Sequence, residues 1–231
     1  MKTKDLIFIA ALVAVFTPIF LCDSIYEGYK VINGNHPYML AFIKFALLST
    51  LGESISMRIK MGSYNPANYG LLPRAILWGL FGIWIAIAMK ALAMGTPYLA
   101  TSLGIKNVPE AMAGSFSATK LLVAFMISVM MNTTFGPVFM TLHKITDTHI
   151  LNHGGSLKAL ITPINMSEYF QNLNWKIQWG FVFKKTIPLF WFPAHTITFM
   201  LPAEYQVLFA AALSIALGVI LSVAAVMSRA D

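Results

Sequence analysis

From Leu6 to Cys22 no residue carries a charge. A stretch that long and apolar satisfies its backbone in lipid only by closing every hydrogen bond within itself, as a helix. The pattern recurs along the chain, and composition shows that it governs the whole. Hydrophobic residues make up 58% of the 231 and charged ones 11%, against roughly 25% charged in a soluble domain. Too few charges remain to clothe a soluble globule. The expectation is an all-α fold, a polytopic membrane helix bundle of about six transmembrane helices in a single membrane domain, with the lipid bilayer as its first partner.

Six segments approach the roughly 20 apolar residues that a span requires. They are residues 6–22, 38–57, 75–94, 121–142, 186–201 and 205–227. The first reads as a retained helix, because no small-x-small cleavage site follows it. The fifth is short, although Lys184 and Lys185 can snorkel and let it start earlier. Four or five spans, with the first or fifth segment lying in the interface, is the competing count. Pro202-Ala203-Glu204 leaves almost no loop between the last two, which predicts a tight hairpin. Residues 95–120, with Gly95-Thr96-Pro97 and Val108-Pro109, read as an irregular outer segment. Residues 143–185 read as the longest inner one, with Trp175 and Trp179 as interfacial anchors.

The charges agree with six crossings and both termini in the cytoplasm. Inner segments then hold Lys2, Lys4, Arg58, Lys60, Arg74, Lys144, Lys158, Lys176, Lys184, Lys185 and Arg229, and outer loops hold Lys30, Lys106 and Lys120. That is the positive-inside bias, and it accounts for the net charge of +7 without nucleic acid. The membrane is a cytoplasmic one if the source is bacterial and an organelle membrane if it is eukaryotic. The single Cys22 excludes an intrachain disulfide and any cysteine-built metal site.

Polar residues inside spans are costly and so informative. In the second span Ser49, Gly52, Glu53, Ser56 and Lys60 recur at intervals of three or four and form one stripe. The stripe either lines an aqueous path or leaves Glu53 to snorkel and pair with Lys60. Lys44 and Lys90 lie near outer ends, where snorkelling accommodates them. Asn132-Thr133-Thr134 and Gly136-Pro137 mark a break in the fourth span, where proline frees a carbonyl one turn back. The fifth span carries Pro188, Pro193 and His195, which is either a gate or a packing histidine. Pore-lining candidates are therefore Ser49, Glu53, Ser56, Asn132, Thr133, Pro137 and His195. In the sixth span Ala210, Ser214, Gly218 and Ser222 form a small-residue ridge suited to close helix packing, within a bundle or between copies in a homo-oligomer. His149 and His153 share a face if the fourth helix runs on, but no further ligands accompany them, so no metal is expected.

Gly136-Pro137-Val138, Lys144-Ile145 and Asp147 resemble the Gly-Pro…Lys…Leu-Asp motif of the Mpv/PMP-type family of peroxisomal and mitochondrial inner-membrane proteins. His36-Pro37 with Leu51-Gly52-Glu53-Ser54 resembles its His-Pro…Gly-Asp element, with glutamate for aspartate. Asn174-Trp175-Lys176, Leu201-Pro202 and Leu221-Ser222 resemble its C-terminal signature. The chain departs from the family's pattern at Met140, Leu142 and His143, at Gln206 and at Leu217, and such proteins are usually drawn with four spans. The resemblance implies a small integral membrane protein, channel-like in some members, without established catalysis.

The leading functional expectation is a channel-like or pore-forming protein passing ions or small solutes. The alternative is a non-transporting scaffold or subunit acting through helix–helix contacts of the sixth span. No paired acids, nucleophile–base set or phosphate loop is present, so neither catalysis nor a cofactor is expected.

Overall fold

A computed structural model describes the backbone of residues 3–227, and every element among them is helical. Lys2 and Arg229, two of the inner charges counted above, lie outside the described residues. The chain forms two compact units, residues 1–40 and 41–231. In the first, α1 (Thr3–Leu21) and α2 (Asp23–Asn35) pack on each other, and α2 buries none of its side chains.

The second unit holds the body of α3 (Pro37–Met61), then α4 (Leu71–Ser102), α5 (Val108–Ala113), α6 (Ala118–Met130), α7 (Gly136–Asn152), α8 (Met166–Gln171), α9 (Trp175–Ile177), α10 (Phe192–Met200) and α11 (Ala203–Met227). A π-helical turn, Met131–Phe135, joins α6 to α7, and a longer π-helix, Gln178–Trp191, joins α9 to α10. Four described helices are long and apolar enough to cross a membrane: Pro37–Met61, Leu71–Ser102, Ala118–Asn152 and Ala203–Val223. The expectation of about six is thus met for four. α1 supplies only a shorter apolar stretch, Asp5–Ala14. The fifth expected span falls in the helix that is π-wound for most of its length.

The boundaries differ from the expected ones for local reasons. Gly95-Thr96-Pro97 was expected to leave the helix, but α4 runs on to Ser102, with Thr101 Oγ1 donating to the Pro97 carbonyl at 3.0 Å. The fourth helix likewise continues ten residues past Leu142 instead of ending in a loop. The tight last hairpin is present: α10 ends at Met200 and α11 begins at Ala203.

Both π segments end just ahead of a proline. Proline offers no N–H to the carbonyl four residues back, and its ring crowds that carbonyl. In each case the residue just before a proline reaches one residue further: Gly136 N–H bonds Met131 O ahead of Pro137, and Phe192 N–H bonds Ile187 O ahead of Pro193. The helix widens instead of breaking. Thr133 and Thr134 hydroxyls donate back to the Val129 and Met130 carbonyls at 2.7 and 2.6 Å, so neither hydroxyl is left without a partner.

Three members of the polar stripe of α3, Ser49, Gly52 and Ser56, form a packing seam with α11. Ser49 Oγ lies 2.8 Å from Ser214 Oγ, and Ser56 Oγ lies 2.5 Å from Ser222 Oγ. Between these pairs a Cβ on Gly52 would stand 2.8 Å from Ile215 Cα, and one on Gly218 would stand 3.3 Å from the Gly52 carbonyl oxygen. Small residues let the two backbones meet, and each hydroxyl finds a partner that lipid would not offer. Gly52→Ala and Gly218→Leu should each lower stability in detergent by about 1–3 kcal/mol through overpacking, whereas Val223→Leu on the exposed side of α11 should not. Unchanged thermal unfolding of both glycine variants would remove the seam from the account of this fold.

Candidate functional site

Arg74 stands in the first turn of α4 and is almost fully buried, at 5% exposure. A buried guanidinium needs an opposite charge and partners for its N–H groups. Its Nη1 donates to Glu53 Oε2 at 3.2 Å and also to Asp147 Oδ1, and its Nε donates to the Tyr69 carbonyl at 2.9 Å. The same guanidinium lies over the Tyr69 ring, 4.3 Å from its centre. Glu53 is held from two further directions: the Tyr69 hydroxyl donates to Oε2 at 3.0 Å, and His143 Nε2 is 3.3 Å from Oε1. Burial, and then the neighbouring Glu53 carboxylate, push the Tyr69 phenol well above its usual range. The cluster joins α3, α4, α7 and the loop before α4.

Next to this cluster opens a cavity of about 330 Å³, within the range of small-molecule sites. Glu53, His143 and Lys144 line it together with Gln178, Asn132 and His195, and its remaining walls are largely aromatic and aliphatic. Trp78, one turn beyond Arg74, packs its ring 4.5 Å from that of His143, and Phe135 stacks on Phe139 at 5.6 Å. The two π segments contribute much of the wall, through Met131, Asn132 and Phe135 from one and Phe181, Val182 and Trp191 from the other. Asn132 Nδ2 donates to Ser128 O at 2.8 Å and lies 3.0 Å from His195 Nδ1.

Of the pore-lining candidates, the cavity collects Glu53, Asn132 and His195. Ser49 and Ser56 are spent on the α11 seam. Thr133 is exposed, with its hydroxyl returned to Val129 O, and Pro137 acts through the backbone it distorts. Glu53 meets Arg74 and His143, an arrangement not anticipated in either reading of the stripe. Lys44 is buried at 7% exposure rather than snorkelling. Among the family-motif positions, Gly136 and Lys144 line the cavity, Gly52 sits in the seam and Asp147 accepts from Arg74. Trp175 and Pro202 stand apart, the first donating to Phe170 O at 3.0 Å and the second opening the last hairpin. All four ridge residues lie on α11, with Ala210, Ser214 and Gly218 also reaching the cavity. His149 and His153 do share a face, but both ring nitrogens of His149 are engaged, by Tyr169 and by the Ala159 carbonyl. Among the described residues no group of three metal-ligating side chains forms.

In the sequence Arg74 stands as an inner charge at the opening of the third span, and Tyr69 carries no mark of a role. A signal was present in Pro73-Arg74, a charge placed inside a first helical turn, but only the fold supplies its partners. Removing the shared cation should be costly: Arg74→Met leaves two carboxylates facing each other, and loss of one partner of a buried pair costs about 3–5 kcal/mol. Adding Glu53→Gln and Asp147→Asn to Arg74→Met should recover part of that loss in thermal unfolding. A triple variant no more stable than Arg74→Met would show that the cluster is not held by charge. Compared with known proteins, the chain matches no family model, no curated protein and no solved structure.

Proposed function

We propose that this chain is a small integral membrane protein, channel-like in action, that binds small solutes in the cavity and passes them across the bilayer. The observation that carries the reading is the cavity itself: about 330 Å³, lined by apolar residues of α3, α4, α7, α11 and the two π segments and by a few convergent polar groups. Uncharged solutes fit it better than ions. The Glu53 carboxylate, the natural cation ligand, is already matched by Arg74, and the small polar side chains of α3 are spent on packing. The motif likeness to the Mpv/PMP-type family belongs to the same proposal, since Glu53, Gly136, Lys144 and Asp147 all gather at or beside the cavity. Action as a scaffold through the α11 ridge is the weaker reading, because α3 of the same chain occupies that ridge.

Six crossings with both termini cytoplasmic complete the proposal. This topology adds the 6–22 and 186–201 segments to the four long helices and rests on the lysine and arginine bias. It places Arg58, Lys60 and Lys144 at the inner boundary and the ionic cluster beside them. Single cysteines near Gly62 and after Leu151, in a Cys22→Ser background, should react with impermeant reagents from the inner side, and one at Lys106 from the outer side. Opposite accessibility at Gly62 and Leu151 would sink the topology.

Transport is tested in liposomes loaded with uncharged solutes from glycerol to nicotinamide, with potassium as the ionic comparison. The protein should speed efflux of the uncharged set and leave potassium at the background rate. Val182→Trp, which sets an indole into the cavity, should return efflux to that of protein-free liposomes. Efflux that survives Val182→Trp would remove the cavity from the path.

A further inference from the structure

The cavity contains one hydrogen-bond donor whose state can be deduced from its neighbours. Asn132 Nδ2 sits 2.8 Å from the Ser128 carbonyl oxygen, where an amide oxygen would be repelled, so the nitrogen is correctly placed. That same nitrogen lies 3.0 Å from His195 Nδ1. A donor facing Nδ1 requires Nδ1 to be the acceptor, which leaves the imidazole neutral with its proton on Nε2. His195 is 7% exposed and lines the cavity, and its Nε2 has no hydrogen-bond partner among the described residues. Trp191 covers one face of the ring at 4.9 Å, and its own Nε1–H is buried without a partner. A donor on a cavity wall without a protein partner has as its natural complement an acceptor on a ligand.

We infer that the cavity takes an uncharged, flat ring compound bearing a carbonyl oxygen, and that this oxygen accepts from His195 Nε2–H. The inference rests on the cavity reading above and names its ligand class. The ring follows from the walls, where Trp78, Phe135, Phe139 and Trp191 offer aromatic faces to a planar body. Absence of charge follows from the ionic cluster: Arg74 and Lys144 stand against Glu53 and Asp147, so the protein's own groups cancel and no counter-charge is left for an ion. The carbonyl follows from the proton on Nε2, since a donor on the ligand would meet a donor. His195 thereby becomes the specificity-determining residue of the site.

Duroquinone and durene test this directly. They share a tetramethyl ring, differ in the carbonyl oxygens, and duroquinone has no free ring position for addition of the Cys22 thiol. Calorimetry on the detergent-solubilised full chain should show duroquinone bound about fivefold more tightly than durene, the worth of one net hydrogen bond. His195→Phe should keep durene affinity, which shows the cavity intact, and erase the difference. Val182→Trp should bind neither compound. In the infrared, the carbonyl band of bound duroquinone should shift to lower wavenumber with the parent protein and not with His195→Phe. Equal affinities in the parent, or a preference that persists in His195→Phe, would overturn the carbonyl assignment while leaving the cavity reading in place. A parent spectrum without the shift overturns it whether or not the variant folds. Binding of both compounds unchanged by Val182→Trp, or by neither to the parent, would remove the cavity as their site.

Discussion

The guanidinium of Arg74 is the point on which the arrangement turns. It is buried at the start of α4 and shared by Glu53 of α3 and Asp147 of α7, two carboxylates that would repel each other without it. In a low-dielectric surrounding, such a cation fixes three helices in one register, because any slip leaves an uncompensated charge. Tyr69 and His143 complete the coordination of Glu53 and bring the loop before α4 and the aromatic face of α7 into the same cluster. Glu53 and His143 of this cluster, with Lys144, also line the cavity beside it.

Room for that cavity comes from the prolines. Along the α3–α11 seam small residues let two backbones meet, and Ala210, Ser214 and Gly218 of that ridge reach the cavity's edge. Before Pro137 and Pro193 the hydrogen-bond ladder shifts from four residues to five, and the π segments that end there carry Asn132, Phe135, Val182 and Trp191 in the cavity wall. Widened turns of this kind recur at functional sites because they move side chains without exposing backbone. Seam and π segments thus divide the labour: small residues draw helices together on one side, and prolines hold space on the other. Asn132 with His195, and Ser128 with the Phe192 carbonyl, then couple the two π-distorted helices by hydrogen bonds.

Much of this was legible in the sequence. The long apolar runs dictated helices; four of the six expected spans are helices long and apolar enough to cross a membrane, and the last hairpin turns at Pro202. The α11 ridge was readable from spacing alone, since four small residues at intervals of four share one face. The breaks at Gly136-Pro137 and in the 186–201 segment were marked by their prolines, though not the direction of the distortion. Elsewhere the reading went astray where local signals were ambiguous. Gly95 and Pro97 suggest a loop but sit inside a helix long enough to absorb them. Ser49, Ser56 and Glu53 share a face by periodicity, and hydroxyls facing water look the same in sequence as hydroxyls facing another helix.

What the sequence determined by itself was the helical class, the long apolar helices and the local breaks, because hydropathy and proline act on a segment regardless of its neighbours. The tertiary structure alone decided the partners. Glu53, Arg74 and Asp147 are separated by 21 and 73 residues, and no periodicity along one helix connects groups that meet only when three helices pack. It also decided that the serines of α3 close a seam and that His195 presents its Nε2 proton to a cavity. Hydrogen-bond complementarity is a property of facing surfaces, and a single strand of sequence carries only one of the two faces.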